Sequence, residues 1–129
     1  MSYTRMQAFD LGGTWIRAVN ISSEGKFSPI RKEPTEENFI RQIERMSQQL
    51  IPSTKKRNLL DYIAIIAPGP VRGGMLLAAP PLGLKKPLDF KKELASLVTG
   101  ESTEIVLEND LTAAAYAELY EGHGKQWDN

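Results

Sequence analysis

An acidic residue, two glycines and a threonine stand together near the start of the chain, in the stretch Asp10-Leu11-Gly12-Gly13-Thr14. Glycines at a tight turn let the backbone approach a ligand closely and tolerate positive φ. Backbone N–H groups at such a turn can hold phosphate oxygens, and Asp10 could hold a hydrated Mg²⁺. The alternative is a plain hairpin turn, because the stretch lacks both the GK[ST] ending and the GxGxxG spacing.

A second polar cluster, Glu108-Asn109-Asp110, lies between an apolar run and an alanine-rich segment. Ligands of open α/β sheets bind beyond the carboxyl ends of strands, where this cluster is expected. An aspartate in reach of a substrate hydroxyl is the usual proton acceptor in phosphoryl transfer, and Asn109 offers a donor and an acceptor for sugar hydroxyls. The alternative is that Asp110 only caps a helix whose alanines are good helix formers.

A third candidate is the loop APGPVRGG, residues 67–74, which follows a buried apolar run. Pro68 and Gly69 give it an irregular course directly after the predicted strand. It could form the wall of a sugar pocket, or it could be a simple connection between two elements.

Hydrophobic periodicity predicts the strands that must position these clusters. Alternating apolar residues predict two strands around the glycine pair and a third after the turn at residues 22–25, which together form an antiparallel meander. A nearly continuous apolar run predicts a strand that is covered on both faces. The predicted strands are Met6–Phe9, Trp15–Ile21, Lys26–Arg31, Tyr62–Ile66, Met75–Pro80 and Glu104–Leu107.

Three helices are predicted from apolar residues at helical spacing. The first is expected to start at Thr35, which offers a capping oxygen, and to stop at Pro52. The second is capped by Asp89 and ends at Gly100, and the third covers Leu111–Tyr120. The order βββ-α-β-(β)-α-β-α indicates an α/β fold with a mixed sheet.

Composition excludes several classes of function. Lys plus Arg and Asp plus Glu both number 16 in 129 residues, so no basic surface indicates nucleic acid or an anionic membrane as partner. No apolar run approaches the roughly 20 residues that span a bilayer. Cysteine is absent and histidine occurs once, which argues against a zinc site in the chain. The composition is that of a soluble, cytoplasmic domain.

The three clusters occur in one order, and this combination resembles the N-terminal lobe of the sugar kinases in the actin-like ATPase superfamily, a lobe with a ribonuclease H-like fold. Within that group the chain is most similar to the ROK (repressor, open reading frame, kinase) glucokinases. The similar stretches are FDLGGTWIRAVN, the phosphate-1 hairpin; IAIIAPGPVRGG, the Pro-Gly loop; and VLENDLTAAAYAE, the Asn-Asp catalytic motif.

This resemblance implies an ATP-dependent hexose kinase that uses Mg²⁺. In it, Asp10 would assist the metal, while Gly12, Gly13 and Thr14 would face the transferred phosphate.

The resemblance also implies the residues of the sugar side. Asn109, Gly69 and Glu108 would contribute to the hexose pocket, and Asp110 would be the general base for the attacking hydroxyl. The sequence departs from the family at two positions: Trp15 replaces a common Lys or Asn, and Pro81 stands where an Asn is usual.

The length of the chain leads to further expectations. Residues 1–129 are expected to form one N-terminal lobe without the C-terminal nucleotide-binding lobe, and to have negligible kinase activity alone. We also expect an exposed apolar surface that favours a homo-oligomer. The alternatives are a non-catalytic sugar-sensing or oligomerisation module of the same family, and a kinase for an amino sugar.

Overall fold

The computed structural model describes residues 4–50, 61–97 and 103–111. Its main feature is a five-stranded sheet with the order β3-β2-β1-β4-β7. A second, two-stranded sheet pairs β5 with β6. The strands are β1 (Thr4–Leu11), β2 (Trp15–Ser22), β3 (Arg31–Pro34), β4 (Tyr62–Ala67), β5 (Val71–Arg72), β6 (Met75–Leu76) and β7 (Glu104–Asn109). The helices are α1 (Phe39–Leu50), α2 (Phe90–Leu97) and a short 3₁₀ turn at Pro80–Leu82.

The sheet is mixed, as the sequence predicts. β1 pairs with β2, and β2 with β3, in antiparallel fashion, whereas β1 pairs with β4, and β4 with β7, in parallel. The carboxyl ends of β1, β4 and β7 therefore meet at one edge of the sheet, which we call the carboxyl edge. No helix in the described part of the chain is both long and apolar enough to cross a membrane.

One face of the sheet, which we call the inner face, carries the core. Side chains alternate between the two faces of a strand, so every second residue of β1, β2, β4 and β7 points to the same side. α1 and α2 lie against each other, with the rings of Phe39 and Phe90 stacked at a centroid distance of 5.6 Å. The buried residues that the sheet contributes are Phe9, Leu11, Ile16, Ala18, Ile63, Ile65, Ala67, Ile105 and Leu107.

A buried polar contact fixes α1 on the sheet. Gln7 of β1 is fully buried, and its Oε1 accepts a hydrogen bond of 2.7 Å from Oγ of Ser47 on α1. Its Nε2 donates to Oδ1 of Asn20 at 3.2 Å. Because a buried amide is costly without partners, this network selects one position of the helix over the sheet.

The third strand lies later in the chain than predicted. Residues 26–30 form the connection to β3. They touch β2 through a bridge between Phe27 and Ile21 and through separate hydrogen bonds of Lys26 and Ser28 to Ser22 and Asn20, without a continuous ladder. Pro29 lacks an N–H and cannot join the ladder, so continuous pairing starts at Arg31. The prediction of a strand at Lys26–Arg31 is wrong by about one strand length.

Two other boundaries also differ from prediction. α1 is capped by Asn38, whose Oδ1 accepts a hydrogen bond of 3.2 Å from the N–H of Arg41, and not by Thr35. The predicted strand Met75–Pro80 is reduced to the two residues of β6. Directly after β6, the N–H of Leu77 donates a hydrogen bond of 2.9 Å to the carbonyl oxygen of Pro70.

The cap of α2 is as predicted. Asp89 accepts a hydrogen bond of 3.1 Å from the N–H of Lys92, directly before the helix. The predicted helix stops at Pro52 and Gly100, and the predicted third helix beyond Leu111, lie outside the described residues.

Candidate functional site

The carboxyl edge brings the two acidic clusters to the same side of the molecule. Asp10 of β1 is in register with Ile66 of β4, which is in register with Glu108 of β7. Asp110 follows β7 by one residue and lies in a helical turn with Leu111. β4 alone separates the two strands, so their lateral spacing is roughly 10 Å.

The tip of the β1–β2 hairpin is formed by Gly12, Gly13 and Thr14. The N–H of Gly12 donates a hydrogen bond of 2.9 Å to the carbonyl oxygen of Trp15. Neither glycine has positive φ, so the turn does not use the freedom of glycine to adopt it. Gly12 is needed for another reason: a Cβ at this position would lie 2.8 Å from the Trp15 carbonyl oxygen.

Thr35 fastens this tip from the end of β3. Its Oγ1 donates a hydrogen bond of 2.7 Å to the Gly12 carbonyl oxygen, and its N–H donates one of 2.8 Å to the Thr14 carbonyl oxygen. Thr35 thus donates hydrogen bonds to two carbonyl oxygens of the tip, those of Gly12 and Thr14. Among the described residues, no backbone carbonyl accepts a hydrogen bond from the N–H of Gly13 or Thr14, so these donors are available to a ligand.

The 3₁₀ turn at Pro80–Leu82 lies against the hairpin tip. A Cβ on Gly13 would be 3.0 Å from the carbonyl oxygen of Pro81 and 3.3 Å from its Cβ. Pro81, which departs from the family pattern, therefore packs against the tip through its backbone and ring.

Gly69 connects this turn to the second cluster. A Cβ at Gly69 would lie only 1.8 Å from the Ala78 carbonyl oxygen, which is closer than any side chain allows. On its other side, the Gly69 carbonyl oxygen accepts a hydrogen bond of 2.7 Å from Nδ2 of Asn109. Backbone contacts thus run from the hairpin tip through Pro81 and Ala78 to the end of β7.

Asn109 is a cap at the end of β7. Its Oδ1 accepts a hydrogen bond of 2.9 Å from the N–H of Leu111, while its Nδ2 binds Gly69. The cap visible among the described residues is thus Asn109, and the residues that an Asp110 cap would bind lie outside them. Asp110 is exposed, and no ion pair between described residues involves it.

Asp10 and Glu108 share one row of the sheet. Both point to the face opposite the core, which we call the outer face, because Phe9 and Leu107 beside them are buried. Asp10 is exposed beside an apolar cavity of about 200 Å³ that Ala8, Val19, Ile30 and Ile66 help to line. Glu108 is half-buried and borders a groove of about 350 Å³ between β7 and the β5–β6 hairpin.

Sequence reasoning missed three residues near the tip: Arg17, Lys32 and Thr35. Thr35 was assigned to a helix start, since a threonine before two glutamates suggests a cap. Arg17 and Lys32 carry no local motif, and only the register of β2 with β3 places them opposite each other.

Thr35→Val should loosen the hairpin tip. Valine has nearly the same shape but leaves the Gly12 carbonyl without its donor, so we expect the free energy of unfolding to fall by about 1 kcal/mol. Amide hydrogen exchange at Gly12 should become faster. Urea unfolding and exchange detected by NMR measure both effects, and Thr35→Ser, which keeps the hydroxyl, should restore them. Unchanged exchange in the valine variant would contradict a fastening role.

A three-stranded meander that continues into parallel strands, with a glycine hairpin and an Asn-Asp pair at one edge, defines a lobe of the actin-like ATPase fold as it occurs in sugar kinases. The chain belongs to the ROK family, whose model matches residues 6–129.

Solved structures agree with this assignment. A ROK-family glucokinase from Streptomyces griseus, in complex with glucose and AMPPNP, is 25% identical with a TM-score of 0.68, and the match covers 92% of this chain and 37% of that one. An inorganic polyphosphate/ATP-glucomannokinase from Arthrobacter sp. strain KM is 18% identical with a TM-score of 0.71, over 93% of this chain and 49% of that one.

The fold is shared with a regulator as well. A ROK-family transcriptional regulator, homologous to the MLC protein of E. coli, is 19% identical with a TM-score of 0.75, over 94% of this chain and 32% of that one. The chain thus spans less than half the length of each of these proteins. A search of curated proteins found no match.

Proposed function

We propose that the chain is the sugar- and phosphate-binding lobe of an ATP-dependent hexose kinase, which transfers a phosphoryl group to a sugar hydroxyl. The observation that supports this most directly is the continuous set of contacts between the glycine hairpin and Asp110. Gly13 packs on Pro81, Gly69 packs on Ala78, and Asn109 holds Gly69 while capping the turn that begins with Asp110.

The residues at the hairpin fit a phosphate donor with its metal. The N–H groups of Gly13 and Thr14 have no backbone acceptor among the described residues, and the Asp10 carboxylate is exposed at the base of the same hairpin. Asp10 would hold the hydrated Mg²⁺, and Gly12, Gly13 and Thr14 would face the phosphate. ATP supplies the phosphoryl group, and the metal offsets its charge.

Asp110 has the chemistry of a general base. We assign it the proton of the sugar hydroxyl, which its carboxylate accepts as that oxygen bonds to phosphorus and the bond to the leaving oxygen breaks. Asn109 supplies a cap at this turn, and no ion pair among the described residues engages the Asp110 carboxylate. Asn109, Gly69 and Glu108 are proposed for the sugar side, with Asn109 also shaping the wall through its hydrogen bond to Gly69.

Phosphoryl transfer depends on positioning and on exclusion of water, and a complete cleft has two walls. We therefore propose that residues 1–129 alone have negligible activity. The polypeptide produced from the native gene, which we call the native product, should form ADP in the presence of a hexose. A coupled ADP assay with glucose, mannose and an N-acetylated amino sugar tests this. Absence of sugar-dependent ADP formation by the native product over the whole panel would refute the proposal.

A second candidate is a sugar-sensing module without catalysis, which the similarity to a ROK regulator favours. Calorimetric titration of the native product with the same sugars distinguishes the two. Sugar binding without any phosphorylation supports the sensing module, whereas turnover supports the kinase. If turnover is found, the preferred sugar distinguishes a hexose kinase from an amino-sugar kinase.

We also propose self-association through the outer face. Phe27 and Ile30, which follow β2, are 73% and 70% exposed, and Ile30 borders the apolar cavity beside Asp10. Exposed apolar surface of this kind favours contact between copies of the chain.

A further inference from the structure

Three charged residues form one row across the outer face of the meander. Asp10 of β1 is in register with Arg17 of β2, which is in register with Lys32 of β3. All three side chains are exposed. They point away from the core, because Ile16 and Ala18 on either side of Arg17 are buried. The row therefore carries one negative and two positive charges in the order β1, β2, β3.

Trp15 brings the charge of Lys32 closer to the hairpin tip. The backbone of Lys32 lies opposite Arg17, but its Nζ lies 4.3 Å from the centroid of the Trp15 ring. Trp15 directly follows Thr14, the last residue of the tip. The attraction between an ammonium group and an indole face thus holds the cation beside the phosphate-facing hairpin.

Arg17 and Lys32 repel each other across neighbouring strands, while Asp10 lies in register with Arg17 on its other side. Like charges directly opposite each other on neighbouring strands are destabilising. No ion pair among the described residues involves Asp10, Arg17 or Lys32.

The inner face of β3 shows the contrary arrangement. Arg31 Nε lies 3.1 Å from Glu33 Oε2, and Arg45 binds both Glu33 and Glu36. The hydrogen bond to Glu36 raises the pKa of Arg45 above its ordinary value. Carboxylates thus neutralise the cations on the inner face of the sheet at β3, whereas Arg17 and Lys32 on the outer face are available to an anion.

We propose that Arg17 and Lys32 form an anion subsite for the phosphate groups of the donor that are not transferred. The ligand class is a linear oligophosphate, either the chain of a nucleoside triphosphate or an inorganic polyphosphate. The inference rests on the proposed function, because the hairpin tip would hold the transferred phosphate and the subsite its neighbours. Because Asp10 is negatively charged and lies at the β1 end of the row, the anion is expected to bind on the side of β2 and β3.

The subsite can be tested by binding alone, with Trp15 as the reporter. In a Trp127→Phe background Trp15 is the single tryptophan of the chain. Titration of this 129-residue protein with inorganic tripolyphosphate should change the tryptophan fluorescence in a saturable way, and added salt should weaken binding. Arg17→Ala and Lys32→Ala should each raise the Kd about tenfold, as expected for a lost charge-assisted hydrogen bond.

Lys26→Ala is the matched control, since it removes an exposed lysine beyond the far end of β2 and should leave the Kd unchanged. Sodium chloride at equal ionic strength serves as the blank, because it reproduces the general screening without a phosphate group. Equal Kd values in the parent and both alanine variants, or no saturable response to tripolyphosphate, would overturn the subsite.

Two further measurements distinguish a nucleotide from a polyphosphate as the ligand, and the anion subsite from the proposed kinase function. Similar Kd values for ATP and tripolyphosphate indicate that the phosphate chain alone is recognised, whereas much tighter ATP binding assigns the subsite to a nucleotide. Binding that depends on Arg17 and Lys32 in a native product without kinase activity would support the subsite and refute the kinase. Kinase activity with an unchanged donor KM in Arg17→Ala and Lys32→Ala would support the kinase and refute the subsite.

Discussion

Asp110→Asn is expected to lower kcat for sugar phosphorylation by the native product about 10²–10⁴-fold, the usual contribution of a general base. Asparagine is nearly isosteric but cannot take the proton of the sugar hydroxyl at neutral pH. The KM for the sugar should change little, because the hydroxyls would still meet Asn109 and the loop of Gly69. Steady-state kinetics with the preferred sugar measures both parameters.

The fold of this variant should remain intact, which makes the kinetic result interpretable. The cap of the helical turn is the side chain of Asn109, and Asp110 is exposed without an ion pair among the described residues. Loss of its charge at a helix start should cost less than about 1 kcal/mol. Asp61→Asn, a matched control at the opposite edge of the sheet, should keep full activity. Retained turnover in Asp110→Asn would exclude the base role.

The first hairpin and the covered strand could be predicted because their patterns are local. Alternation around the glycine pair predicts the antiparallel β1–β2 hairpin, and the apolar run before Pro68 predicts a covered strand. Parallel pairing of β1, β4 and β7 then brings the ends of these strands to one edge, so the proximity of the two acidic clusters follows from topology.

The exact role of several residues could not be predicted, because it depends on contacts between distant segments. Thr35 has the local signature of a helix cap, yet its hydroxyl binds Gly12, 23 residues earlier. β3 starts after Pro29 because proline has no N–H to donate to the ladder, and the polar residues of the strand itself do not reveal this start. Likewise, nothing in the order of residues reveals that Lys32 lies over the ring of Trp15.

Glycines illustrate the same limit. Glycine tolerates positive φ, but neither glycine of the hairpin has it; instead, a Cβ at Gly12 would lie 2.8 Å from the Trp15 carbonyl oxygen, and one at Gly13 would lie 3.0 Å from the Pro81 carbonyl oxygen. Gly83 has the positive φ, 75°, at the end of the 3₁₀ turn. A glycine in a loop indicates a constraint, and the three-dimensional contacts decide which one.

Gly69→Ala is expected to destabilise the chain by more than about 3 kcal/mol, the range of a clash that no side-chain rotation can relieve. The new Cβ would lie 1.8 Å from the carbonyl oxygen of Ala78, so backbone must move on one side or the other. If the loop of residue 69 moves, its hydrogen bond from Asn109 is lost as well, and the end of β7 loses its anchor. Stability and the geometry of the candidate site are thus coupled at this residue.

Urea unfolding followed by circular dichroism measures the effect on the free energy of unfolding. Gly83→Ala is the matched control: its φ of 75° disfavours alanine, but a Cβ there meets no atom within 4 Å, so the cost should stay near about 1 kcal/mol. The comparison separates a steric clash from backbone strain, since both variants add the same methyl group. A Gly69→Ala protein as stable as the Gly83→Ala protein would show that the loop can move away from Ala78, and the proposed link between the hairpin tip and Asp110 would then be too loose to position a base.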